Sequence, residues 1–406
     1  MKLIKMSLVA ALLVGSSAFA IENVKVSGDA KLFYTTADMD PNDLFSKAGS
    51  AGQAAVGFSA TADLAGGVSG GMSTTALSTL GLENNIVGAT FGSTSAQTQW
   101  WVSEMHLTKT FGKTTGKVGR QQLDTPFAFT ETWSTAYNTF DAMVLMNQDI
   151  PGTTLVGAWV GKHNGASNFA VVNSPVNPTT NDQTDSFSTF GTKGAYTAGI
   201  INNSFEPLTI QAWYYDVVSA ADAMWAQLDL SVSGIVFGAQ YASVSPKGIF
   251  KGADDSSAVA AKLGYESESF SISAAYSQTD DKGAVQIANV ATMDLDPTSG
   301  TFGGGGAASK LYTEAWWNFG YVGAADNVAM NLTASYDAKV AGFAAYYTMV
   351  DFDKADTKMT ELTLEATKSY GPVDTALVYI MTEDTDKTVN GGDSFNTIQV
   401  YLTYNF

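Results

Sequence analysis

Hydrophobic and polar residues alternate along most of this chain. In the last eleven residues, NTIQVYLTYNF, the side chains of Ile398, Val400, Leu402, Tyr404 and Phe406 share one face. Thr397, Gln399, Tyr401, Thr403 and Asn405 share the other. A period of two puts successive side chains on opposite sides of a β-strand. LTIQAWYYD repeats the pattern, with Leu208, Ile210, Ala212 and Tyr214 on one face. SFSISAAYS does so with Phe270, Ile272, Ala274 and Tyr276, and AGFAAYYTM with Phe343, Ala345, Tyr347 and Met349. Read through the whole chain, this alternation predicts about eighteen strands, with sixteen as the alternative count. Short connections such as GKTT, IPGT, FEP, SG and YGP alternate with long ones. The long ones fall at 36–52, 77–99, 123–141, 162–192, 245–256, 280–327 and 383–395.

No apolar run after residue 20 is long enough for a membrane helix, which needs ~20 residues. Charged residues make up only 15% of the chain, against ~25% in soluble domains. Low charge with alternating rather than continuous hydrophobicity is the signature of a transmembrane antiparallel β-barrel, an all-β fold. Lipid offers no hydrogen-bond partners, so such a sheet has to close on itself. A soluble sandwich is the alternative. It does not explain why aromatic residues gather at the ends of the alternating segments, where a barrel has its interfacial girdles.

The first twenty residues, MKLIKMSLVAALLVGSSAFA, read as a secretory signal peptide. Lys2 and Lys5 precede a short apolar run, and Ala18-Phe19-Ala20 forms a cleavage site. Cleavage after Ala20 of the 406-residue chain leaves 386 residues as the barrel, 21–406. Losing Lys2 and Lys5 takes the net charge from −18 to −20. That sign disfavours nucleic acid and favours cations. There is no cysteine, so disulfide and thiolate chemistry are excluded.

Two segments carry a family likeness. WVSEMHLTKTFGKTTGKVGRQQLDTP is a hairpin whose second strand runs through Gly119-Arg120-Gln121-Gln122-Leu123-Asp124 into a loop. LTIQAWYYDVVSAADAMWAQLDLSV is a strand, a short acidic loop and a return strand. Both resemble the OprD-like porins and the major outer membrane porin of Campylobacter and related epsilonproteobacteria. The resemblance implies an eighteen-stranded channel for small solutes in the outer membrane of a Gram-negative bacterium. It implies that the loop after the fifth strand, here 123–141, folds into the pore as a constriction. It also implies that the assembly machinery reads the terminal strand ending at Phe406, and that the protein is a homotrimer, whereas the OprD-like channels act as monomers. The chain departs from the OprD-like pattern in one respect. Those channels line a wall with arginines, and this chain has Arg120 alone beside twenty lysines.

Barrels of this size enclose water, and rings of acids select cations. Loop 123–141 offers Asp124, Glu131 and Asp141 as constriction acids, with Phe127, Phe129, Trp133 and Tyr137 to pack it. Wall parity nominates further pore-lining residues. Met105 and Leu107 outward put Glu104 and His106 inward. Leu228 and Leu230 outward put Asp229 inward, and Leu362 and Leu364 do the same for Glu361 and Glu365. A charge facing mid-bilayer lipid would cost about 2–4 kcal/mol. The same penalty and the nearby acids place Arg120 inward, clamping the loop base, with a strand-end arginine at the membrane interface as the alternative. The 280–327 connection reads as a long extracellular loop, with Trp316 and Trp317 packed at the barrel mouth.

The expected activity is passive, cation-preferring diffusion of small hydrophilic solutes, with no enzyme chemistry and no cofactor. Two readings of another class remain: a barrel hydrolase using His106 or His163, and a surface adhesin or receptor. A histidine beside a glutamate does not make a triad. Two histidines without cysteine do not make a zinc set. The acids at 253–257 and 382–386 are candidate Ca2+ ligands, with ordinary solvated loops as the alternative.

Overall fold

The computed structural model describes residues 21–39, 41–78, 80–82, 87, 89–90, 99–133, 135–165, 187–293, 295–296, 301–302, 307–352, 357–384 and 394–406. The expected signal peptide lies outside them. Eighteen antiparallel strands form a closed wall. They are β1 (Glu22–Ala37), β2 (Ser50–Leu64), β3 (Val68–Ser78), β4 (Gln99–Phe111), β5 (Thr114–Gln121), β6 (Phe140–Asn147), β7 (Thr153–His163), β8 (Ala195–Phe205) and β9 (Leu208–Val217). The wall continues with β10 (Ala221–Val232), β11 (Ile235–Pro246), β12 (Ser256–Glu266), β13 (Phe270–Thr279), β14 (Asn327–Asp337), β15 (Gly342–Phe352), β16 (Thr357–Tyr370), β17 (Val373–Asp384) and β18 (Phe395–Asn405). Each pairs with its neighbours in sequence, so all the connections are hairpin-like.

The sheet closes where β1 meets β18, in a register that sets Ala30 against Tyr404 and Thr36 against Ile398. Past the strand end, Gly28 and Phe406 exchange both backbone hydrogen bonds, at 2.7 and 2.9 Å. The Phe406 ring sits edge-on to Phe58 of β2, centroids 5.7 Å apart. The terminal aromatic is therefore part of the seam. Closure leaves no open edge, which is the requirement lipid imposes.

Alternation sorts the wall into two faces. Met105, Leu107, Val118, Met143, Leu145, Leu263, Leu364 and Leu377 are exposed on the outer face. Residues between them, such as Thr75, Thr197, Gln240, Ser277, Asn331, Thr348, Thr363 and Gln399, are buried inside. Lipid-facing apolar rows and inward polar rows are what a barrel sequence has to encode. The inward rows also carry large aromatics, Trp213 and Tyr215 on β9 and Trp225 on β10, all buried.

Those rings mark a second layer. Connections fold back against the inward rows and form an apolar core with Phe127, Ile287, Met293 and Leu311 on the β9–β12 side. A smaller cluster gathers Phe33, Trp317, Phe319, Ile380 and Phe395 near the seam. The 280–327 connection is therefore not a purely extracellular loop. Gln240 of β11 donates to the Lys310 carbonyl (2.9 Å), and Ser277 of β13 bonds Thr313 (2.5 Å). Glu361 of β16 and Gln399 of β18 bond Trp316. The segment around 307–322 thus runs across the barrel interior from β11 to β18. Its tryptophans, expected at the barrel mouth, pack on wall strands inside the barrel.

The bend from β5 into its loop depends on one glycine. Gly119 has φ +121°, and a Cβ there would lie 2.2 Å from the Met105 carbonyl oxygen of β4. Both a left-handed backbone and a close approach of strands exclude a side chain. Gly119→Ala is expected to cost about 1–3 kcal/mol. The temperature at which folded barrel converts to unfolded band on a gel should fall accordingly. An unchanged transition would show that the strand relaxes around the methyl group.

Candidate functional site

Loop 123–141 begins with a miniature hairpin, Asp124–Thr125 against Ala128–Phe129. Thr125 Oγ1 closes it on the Ala128 carbonyl at 2.8 Å. At its tip Phe127 is buried, edge-on to Tyr215 (5.4 Å) and Trp225 (5.8 Å). Further along, Thr135 Oγ1 bonds Gln53 of β2, and Tyr137 donates to Glu104 of β4 at 3.0 Å. Since β2 and β9–β10 lie on different sides of the wall, the loop spans the interior between them.

Glu131 holds the middle of that span, and it is buried rather than facing lumen water. Its Oε1 accepts from Asn289 Nδ2 (2.8 Å) and Thr292 Oγ1 (2.7 Å), and its Oε2 from Trp133 Nε1 (3.1 Å). Asn289 Nδ2 also reaches the Phe129 carbonyl at 2.8 Å. Glu131 is thus a joint between two connections. Burial pushes its pKa up, and the hydrogen bonds from Thr292, Trp133 and Asn289 oppose that shift.

Glu361 points inward, as parity predicts, but it is also buried. Its carboxylate accepts three consecutive backbone N–H groups, Trp316 at 2.8 Å, Trp317 at 2.8 Å and Asn318 at 2.7 Å. It latches the 307–322 segment to the wall. A third acid, half-buried Glu314, accepts from Ser309 N at 2.9 Å, while its Oε1 is hidden from water and has no partner. Burial, with Glu131 and Glu361 adding repulsion, drives its pKa well above 4.5. Glu131 was expected at the constriction and Glu361 as a pore-lining wall residue. The correction has one cause: backbone and amide donors inside the barrel need strong acceptors, and a carboxylate serves best.

Arg120 is committed as well. Its Nε and Nη2 grip both oxygens of Asp141, at 2.8 and 3.3 Å, and Nη1 donates to the Val102 carbonyl at 2.8 Å. The Phe187 ring lies 3.4 Å from the guanidinium carbon. The β5 register is unbroken, which keeps Arg120 in phase with outward Val118 rather than with buried Gln121. The pair does clamp the two ends of loop 123–141. The expectation of a free cation lining the channel is corrected, and Asp141 is likewise neutralised.

The remaining candidates keep more access to water. Asp124 pairs with Lys310 and is the most exposed ion-pair partner among the described residues, at 87% for its side chain. Asp229 accepts from Tyr312 (2.6 Å) and Gln227 (2.7 Å), and Lys262 sits over the Tyr312 ring at 4.7 Å. Glu104 accepts from Gln122 (2.8 Å) as well as Tyr137, with His106 Nε2 3.9 Å away. Glu365 accepts from Tyr346 at 3.2 Å.

This architecture recurs in solved structures. The chain matches Acinetobacter baumannii OccAB4 with a TM-score of 0.71 at 12% identity, covering 95% of this chain and 99% of that one. Pseudomonas aeruginosa OccK3 (OpdO) matches with a TM-score of 0.69 at 15% identity, covering 95% and 96%. P. aeruginosa OpdK with vanillate gives 0.67 at 14%, covering 95% and 98%. At these identities the likeness is one of fold. No curated protein matches the sequence. The family model described as Campylobacter major outer membrane protein matches residues 1–296. The chain belongs to that family. It is an outer-membrane β-barrel with the porin architecture of the Occ structures.

Family membership gives the interior contacts their setting, but sequence alternation did not find the partners. Asn289, Thr292, Lys310 and Tyr312 sit in a connection without periodicity. Inward tryptophan and tyrosine on β9 and β10 were the better signal, because a water-filled lumen has no use for them unless something packs there. His163 is buried between Phe140 and Phe190, its Nδ1 accepting from Gly165 N at 3.2 Å. His106 packs against Gly71, where a Cβ would meet its ring at 2.6 Å. Among the described residues no three His, Cys, Asp or Glu side chains converge on a metal position. The 382–386 candidate runs partly outside them.

Two outcomes are expected. Glu361→Ala strands three N–H donors, each worth ~1–3 kcal/mol. Exchange of the amides at 316–318 should accelerate by about two orders of magnitude. Glu314 has a raised folded pKa, so its contribution is complete below 4.5 and is lost as pH rises through the folded value. Protection of amides 307–315, corrected for intrinsic exchange, should therefore fall with rising pH. Glu314→Gln should flatten that dependence.

Proposed function

We propose that this outer-membrane porin is a passive diffusion channel for small hydrophilic solutes and ions, that it prefers cations, and that loop 123–141 is its constriction. The observation that carries this reading is the span of the loop across the interior. Phe127 anchors it on β9–β10 and Thr135 on β2, with Glu131 tied to the second connection. Such a bridge narrows the lumen while leaving water on either side. The net charge of −18 biases the interior towards cations. Glu104, Glu365, Asp124 and Asp229 are the acids closest to the water path, because Glu131 and Glu361 are consumed as latches. Polar walls, a rigid bridge and acids left within reach of water fit steady conduction better than turnover chemistry.

The assembly machinery that recognises a terminal aromatic strand is the partner for β18. The seam between Gly28 and Phe406 supports this, since that strand completes the barrel. The epsilonproteobacterial likeness favours a homotrimer.

In planar bilayers under a KCl gradient, the reversal potential should report K+ over Cl−. Glu104→Gln combined with Glu365→Gln should move it towards zero. An anion preference in the unaltered protein would overturn the charge assignment.

A further inference from the structure

A trough of about 230 Å³ lies against the inner wall between β1 and β16, roofed by loop 123–141 and Trp316. Its two ends carry opposite charges. Lys31 of β1 stands at one end and Glu365 of β16 at the other, with Tyr401 and Ala376 between them on β18 and β17. Three strand spacings of ~4.8 Å separate the two strands, and the register that carries Lys31 across Thr403 and Asp374 to Ser369 leaves Glu365 four residues away along β16, so the two backbones lie about 19 Å apart along the wall and the inward side chains close part of that gap. Both charges are available. Lys31 is 27% exposed, 3.6 Å from Asp29 and 6.0 Å from the Tyr137 ring, a loose pair of the kind that contributes little. Glu365 takes one hydrogen bond, from Tyr346, which leaves its other oxygen for a solute.

The aromatic walls are fixed in a particular way. The Trp133 indole N–H is bound by Glu131 (3.1 Å) and that of Trp316 by Gln399 (3.0 Å). Both rings therefore offer the trough only their faces, and they are held rigid. Ring faces take an apolar body or the flank of a cation. The volume is below the several hundred Å³ typical of sites for drug-sized ligands.

We infer that this trough is a binding subsite for a small zwitterion whose ammonium and carboxylate lie several ångströms apart, of dipeptide size. The inference rests on the porin reading of the interior. The solute's carboxylate meets Lys31, its ammonium meets Glu365, and its middle lies across Trp133, Trp316 and Tyr401. An α-amino acid, with both charges on one carbon, is too short to engage both ends. A solute with one charge leaves the opposite end unanswered.

The test uses the full-length barrel in planar bilayers, with L-alanyl-L-alanine as the probe. The dipeptide should reduce or modulate the current with a saturable midpoint. N-acetylated and C-amidated dipeptides should each need about tenfold more, since each loses one charge-assisted contact. Lys31→Met should raise the dipeptide midpoint about tenfold and abolish the difference between the dipeptide and its amide. Glu365→Gln should do the same for the acetylated form. The comparison among the three probes needs no variant, so a variant that fails to fold does not spare the idea. Equal midpoints for all three probes, or no modulation in a conducting channel, would overturn the subsite alone. A barrel that inserts and does not conduct would overturn the porin reading beneath it.

Discussion

Every peptide group in this molecule has to find a partner where water is scarce, and both layers of the structure follow from that. On the outside the surroundings are hydrocarbon, and the answer is a sheet whose first and last strands join. Inside, the returning connections have irregular backbone that no strand can satisfy. There the answer is side-chain acceptors. Glu361 takes three consecutive N–H groups, and the Asn138 and Asn289 amides take those of Glu131 (2.7 Å) and Phe129 (3.3 Å). A barrel without inner segments would need none of these.

This changes what the acids are for. A net negative lumen suggests a row of carboxylates facing passing ions. Instead the acids divide into two groups. Glu131 and Glu361 are buried and structural, and Glu314 is half-buried with its Oε1 hidden from water. Asp124, Glu104 and Glu365 stay close to water. The division is physically sensible, since a carboxylate surrounded by donors is the strongest acceptor available for fixing a loop. The same carboxylate, once satisfied, has little field left to offer an ion. Arg120 follows the same logic with the sign reversed, three of its donors spent on Asp141 and a carbonyl.

The wall was legible because lipid and lumen impose opposite preferences on alternate residues. The eighteen strands and the orientation of Glu104, His106 and Glu361 could be read from period two, whereas the pairing of Phe406 with Gly28 at the seam could not. The interior was not legible, and the reason is specific. Asn289 and Glu131 are 158 residues apart, and Trp316 and Glu361 are 45 apart. Neither pair shares a strand register, so no periodicity links them. For Arg120, alternation kept it in phase with Val118, while the expected penalty for a charge in lipid argued for the lumen. At a strand end beside Asp141 that penalty no longer applies. Length alone made 280–327 look like an outer loop, yet its aromatic residues had a drier place to go.

The latch on Glu361 has a consequence for the order of events during biogenesis. Trp316, Trp317 and Asn318 are synthesised well before the residues that hold them. Glu361 comes later, and Gln399, which fixes the Trp316 indole, comes almost last. A chain emerging from the ribosome therefore carries its inner segment with no counterpart to fasten it. The channel's furnishings can be put in place only after the final strands have arrived. A product cut short before residue 361 would lack both fixings, however well its earlier hairpins had formed.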